Sequence, residues 1–157
     1  MMFLSRMFMQ FIPNVHLLGT FIAATTLVYR LRALLPLYGY ILLDGAFHGF
    51  SSWWVPYLYI WLPVWLMFMA VGKLQFPAKF RAPLYMVLVG LHGLSFGVLY
   101  APFQAWVFGL GWNGMIAWIV AGFPFDVIHG VGNFAAGTLI IPLSALIGRL
   151  TNGQAHY

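Results

Sequence analysis

Asp126, His129 and Asn133 stand at i, i+3 and i+7, a spacing that sets all three on one face of a helix. A carboxylate, an imidazole and a carboxamide in one row supply donors, acceptors and a titratable pair. That chemistry suits the polar wall of a small-molecule pocket. Gly130 and Gly132, lying between them, remove bulk beside the same face. Asp44 and His48 repeat the acid–imidazole pairing at i, i+4, with Trp53 and Trp54 just beyond, and His92 stands alone among Leu91, Gly93 and Leu94. Each group has a plainer use as well. An Asp–His bond can simply hold helices together, a pair at a helix end can reach water, and a single histidine can bond a neighbouring helix.

Other chemistries fit less well. Histidines and aspartates are suitable metal ligands, yet no compact signature such as His-Glu-x-x-His is present, so no metal or other cofactor is expected. Gly93-Leu94-Ser95-Phe96-Gly97 spells a G-x-S-x-G pattern, but a nucleophile elbow needs a strand-to-helix turn. These small residues serve better for close helix approach. Cysteine is absent, which removes disulfides, thiolate ligands and a thiol nucleophile. No Walker pattern marks a nucleotide site.

The surroundings of these residues set their meaning. Of 157 residues, 63% are hydrophobic and 6% charged, against about 25% charged in a soluble domain. Too little charge remains to cover a water-facing surface. The sequence therefore predicts an all-α integral membrane protein, one transmembrane domain over residues 1–157, with about six helices at roughly 20 residues per crossing. Asp44 and Asp126 are its two acids, and both lie in apolar stretches. A charge at mid-bilayer costs about 2.5–3.5 kcal/mol on insertion scales, so such acids are candidate functional groups. The seven basic residues are scattered and read as interfacial anchors rather than a nucleic-acid surface.

Residues 1–13 read as a retained interfacial lead-in and 151–157 as a polar tail. Between them, apolar segments are expected at 15–29, 33–50, 53–72 and 83–100, followed by an ambiguous stretch at 101–114, then 115–123 and a last helix at 125–150. Prolines 56 and 63 should kink the third segment. Arg30 and Arg32 either end the first or snorkel towards head groups. With six crossings, five basic residues gather on one side and Arg6 and Arg149 on the other, which places both termini outside. In the first segment Gly19 and Ala23, with Thr20 and Ala24 beside them, form a stripe of small residues that can seat another helix, from this chain or from a partner.

The run Phe123-Pro124-Phe125-Asp126-Val127-Ile128-His129-Gly130-Val131-Gly132-Asn133-Phe134, with the small and apolar helix ending at Pro142-Leu143, resembles the last helix of S components of energy-coupling factor (ECF) vitamin transporters. The resemblance is clearest over 99–150. It implies a six-helix, multi-pass subunit of a prokaryotic cytoplasmic membrane, with cytoplasmic termini, that binds a vitamin or related micronutrient without catalysis. It also implies docking on a membrane coupling subunit driven by a pair of ATPases, through a small-residue motif in the first helix. Here that motif is Gly19-x-x-x-Ala23 rather than two alanines. Asp126, His129 and Asn133 carry the pocket over from the resemblance, whereas Asp44, His48 and His92 join on chemistry alone. The competing reading is an intramembrane enzyme, with or without a metal ion, using Asp126 and His129 with Asp44 and His48.

Overall fold

The computed structural model describes residues 2–9 and 17–153, so the expected lead-in beyond Met9 and the tail beyond Gly153 lie outside the described residues. Within them the elements are helical: α1 (Met2–Met9), α2 (Leu18–Tyr29), α3 (Leu34–His48), α4 (Tyr57–Ile60), α5 (Leu62–Val71), α6 (Ala78–Leu94), α7 (Phe96–Phe108), α8 (Gly111–Ala136) and α9 (Ile140–Gly153). They join into three helical runs long and apolar enough to cross a bilayer, Leu18–His48, Ala78–Phe108 and Gly111–Thr151, plus the shorter apolar Tyr57–Val71. The expectation of about six separate crossings is thus corrected. The prolines taken as boundaries do not end helices: Pro83, Pro102 and Pro124 lie inside α6, α7 and α8. Membrane helices tolerate them because neighbouring groups satisfy the freed carbonyls. The ambiguous stretch extends the fourth segment to Phe108, and 115–150 belongs to one continuous run.

Arg30 breaks the first run. Its φ of +56° is the one positive value outside glycine among the described residues, a costly conformation for a side chain of this size. A 3-10 turn over Arg30–Ala33 separates α2 from α3. Phe21, Thr25 and Tyr29 of α2 and Pro36, Gly39, Tyr40 and Leu43 of α3, with Met2 and Phe3 of α1 and Ile147 of α9, line one cavity of about 400 Å³. Arg30 does not snorkel. Its guanidinium donates to the Met69 carbonyl at 2.6 Å, where α5 ends, while its own carbonyl accepts from Trp65 Nε1 at 3.3 Å. Helix ends leave such carbonyls unsatisfied, and Arg30 turns inward to cap one. Arg32 stays exposed.

The run α6–α7 packs antiparallel to α8. Gly90, Gly93 and Gly97 meet Phe134, Gly130 and Asp126 in reverse chain order. At Gly93 even a Cβ would sit 2.8 Å from the Gly130 Cα. Glycine here permits backbone-to-backbone contact, the dominant source of helix association in lipid. The hairpin closes through Gly109 and Gly111, with φ of +60° and +62°. Spanning 31 residues, α6–α7 measures roughly 46 Å at 1.5 Å per residue. A bilayer with its head groups is about 40–45 Å thick. Lys79 and Arg81 mark one end and the exposed Trp106 and Trp112 the other, as interfacial anchors do.

Ile22, Leu37, Ile41, Ile60, Trp61, Val64, Phe68, Val89 and Ile140 fill the interior, yet the exterior is apolar too, with Leu35, Val120 and Leu150 among many exposed examples. Apolar surface on both sides of the helices marks a membrane protein rather than a water-soluble one. Of the two seats open to the small-residue stripe, the structure fills the internal one. Gly19, Thr20, Ala23 and Ala24 are all buried inside the chain, and Gly19 faces Asn133 of α8. Packing of this kind leaves no surface on those four residues for a partner helix. Their smallness serves the chain's own helix contacts.

Candidate functional site

Asp126, His129 and Asn133 all project from the buried face of α8. Asp126 receives the backbone N–H of Gly97 on both carboxylate oxygens, at 3.0 and 3.1 Å. The reason lies in the break at Ser95. Because α7 restarts at Phe96, Gly97 belongs to a first helical turn, where N–H groups lack carbonyl partners and the helix dipole favours an anion. Asp126 caps α7 from the neighbouring helix. A Cβ at Gly97 would overlap the carboxylate, so only glycine allows this approach. Ser95 spends its hydroxyl on the His92 carbonyl at 2.9 Å, a local helix bond rather than a nucleophile's setting.

One turn along α8, His129 meets the edge of Phe96 with ring centroids 4.9 Å apart. Phe96 also touches Trp61 at 5.7 Å, and Trp61 lies against His92 at 5.4 Å. His92 is buried, and its Nε2 bonds the Ile60 carbonyl at 2.8 Å. Since a carbonyl only accepts, Nε2 carries the hydrogen there. The structure therefore brings His92 into the same interior seam as His129, through two aromatic rings. Asn133 continues the face towards α2, buried to 1% exposure, with neither amide atom hydrogen-bonded among the described residues.

Asp44 and His48 stay a separate pair. Their side chains meet at 3.2 Å, but Asp44 is fully buried whereas His48 opens to the surface. A file of edge-on aromatic contacts, His48 to Trp53 to Tyr57 to Phe96, links this pair to the seam. Among the described residues no three histidine, aspartate or glutamate side chains gather closely enough to hold a metal ion. The sequence reading missed Gly97, Phe96 and Trp61 as members of the site. Phe96 and Gly97 belong to the G-x-S-x-G run, whose small residues had been read for packing alone. Nothing in spacing tells which aromatic of a Trp-rich segment will turn inward.

No family model matches the chain, and no match was found among curated proteins or solved structures. Chemistry and geometry alone must carry the reading.

Proposed function

We propose that this chain is the substrate-binding membrane subunit of an ECF-type importer, holding a vitamin or related micronutrient between its helices and doing no chemistry on it. The observation that carries the reading is the buried polar face of α8, where Asp126, His129 and Asn133 stand together inside an otherwise apolar bundle. Buried polar groups in lipid are costly and mark substrate pathways. A helix broken beside them, as α6–α7 is at Ser95, is a recurrent feature of transporter binding sites. The buried Asp44 and the surface-open His48, at one margin of the aromatic file, serve the approach to the seam rather than its centre.

On this reading the chain docks on a coupling subunit driven by two ATPases. Docking uses a face other than the buried Gly19–Ala23 stripe. Co-expression with the coupling subunit and ATPases of an ECF importer tests the proposal. Recovery of all subunits through a tag on this chain, with ATP-dependent vitamin accumulation, is the expected result. A well-folded chain that recovers none of them contradicts it.

A further inference from the structure

We infer that the cavity between α2, α3 and α9 holds an acyl chain of an anionic phospholipid, whose phosphate is held by Arg32 and Arg149. The inference stands on the membrane fold and does not depend on the importer reading. Its first observation is charge. The Arg30 bond to the Met69 carbonyl sets the end of α2 beside the end of α5, where Lys73 follows. Phe68 lies against Tyr85 with ring centroids 5.2 Å apart, which brings the start of α6, with Lys79 and Arg81, to the same end. The Tyr29 hydroxyl is 2.8 Å from that of Thr151, which adds the last turns of α9 and Arg149. Arg149 thus joins the other five cations on their side of the bundle, not the opposite one. The chain's two acids stand elsewhere, Asp44 beside His48 at the far end of α3 and Asp126 on the Gly97 N–H. Six cations without an acid at one end mark the cytoplasmic side, whose leaflet carries the anionic lipids.

The second observation is the make-up of the cavity. Its volume of about 400 Å³ is walled mainly by apolar groups, and Pro36, Gly39 and Leu43 of its lining are exposed on the outside of the bundle. In a bilayer that side meets lipid tails rather than water. Two hydroxyls on the wall are already spent: Thr25 donates to the Phe21 carbonyl at 2.7 Å, and Tyr29 pairs with Thr151. Such a lining holds a hydrocarbon chain by many weak contacts rather than a polar guest by hydrogen bonds. Along α2 it runs from Phe21 to Tyr29, roughly 12 Å at 1.5 Å per residue, and it leads to the basic end. There the turn Arg30–Ala33 joins the two walls α2 and α3, and the exposed Arg32 sits on it, between Tyr29 and Pro36 of the lining. The exposed Arg149 follows Ile147, the α9 residue of the lining, by two positions. An apolar slot that ends beside two cations matches the build of an anionic lipid, with the tail inside and the phosphate at the mouth.

Native mass spectrometry of the purified chain in detergent tests this, with dioleoyl phosphatidylglycerol and dioleoyl phosphatidylcholine titrated separately. The expected result is one phosphatidylglycerol bound at least about tenfold more tightly than phosphatidylcholine, since each arginine adds to the attraction for an anionic head group. Arg32→Gln combined with Arg149→Gln should cut that preference to less than about threefold. Lys79→Gln combined with Arg81→Gln, at the same end but on α6 and outside the lining, should keep it. Gly39→Leu should weaken phosphatidylglycerol binding at least about tenfold by growing into the cavity, and a Cβ there meets nothing within 4 Å, so the chain has room for the change. The exposed arginine pair decides the case if Gly39→Leu fails to fold. Equal binding of the two lipids, an equal loss from the α6 pair, or undiminished binding by a folded Gly39→Leu would overturn the inference. So would millimolar inorganic phosphate that stabilised the chain against heat as much as phosphatidylglycerol does, because a free anion would then suffice.

Discussion

Asp126 and Gly97 form the contact that ties α8 to the broken helix α6–α7: one backbone N–H lies 3.0 and 3.1 Å from the two carboxylate oxygens, 29 residues apart in the chain. A capping acid can be replaced by an amide of the same shape with modest loss, because a carboxamide oxygen still accepts. Asp126→Asn should cost about 1 kcal/mol of stability, the difference between a charged and a neutral acceptor. Asp126→Leu, which strands the Gly97 N–H, should cost about 1–3 kcal/mol. Melting of both variants in detergent checks the order. Equal melting temperatures would contradict the capping role.

Close backbone packing at Gly93 gives a second expectation. Gly93→Ala places a methyl 2.8 Å from the Gly130 Cα and the His129 carbonyl, and overpacking of this sort costs about 1–3 kcal/mol. Gly39→Ala, where nothing lies within 4 Å, is the control. The first should lower the melting temperature and the second should not.

The small-residue stripe can be probed in the isolated chain. Gly19→Leu and Ala23→Leu introduce bulk into buried positions, so both should lose stability, by about 1–3 kcal/mol, with no partner subunit present. Unchanged melting with lost co-purification of a coupling subunit would instead return the stripe to a docking role.

Arg30 separates two effects at one position. Arg30→Ala removes the bond to the Met69 carbonyl and keeps the positive φ, whereas Arg30→Gly removes the bond but tolerates φ of +56°. Both should melt below the parent, with Arg30→Gly the more stable by about 1 kcal/mol. The reverse order would show that the turn is not strained.

How much of this was legible in the sequence follows from what each signal encodes. Helices long and apolar enough to cross a membrane were plain, because composition and long apolar runs carry that signal directly. The shared face of Asp126, His129 and Asn133 was readable from helical period, and that face is the buried one. Helix boundaries were misread at Pro102 and Pro124, since proline ends helices in water but is carried inside them in lipid. The sequence allowed Arg30 either to end the first helix or to snorkel; the helix ends there, and the inward bond of the side chain depends on where α5 ends, a tertiary fact. The same holds for Gly97, whose value as a capped donor appears only once α6–α7 breaks at Ser95 beside α8. Trp61 and Phe96 gave no signal, because all aromatics look alike to a membrane until packing selects a few.

Native mass spectrometry of the chain released from detergent, purified from cells growing on rich medium, tests the binding role most directly when wild type and Asn133→Ala are run side by side. The account predicts a small molecule of vitamin size carried by the wild type and largely lost from the variant, with both proteins equally folded. A wild-type chain that is always bare, or a variant that retains the same molecule in the same proportion, would contradict it.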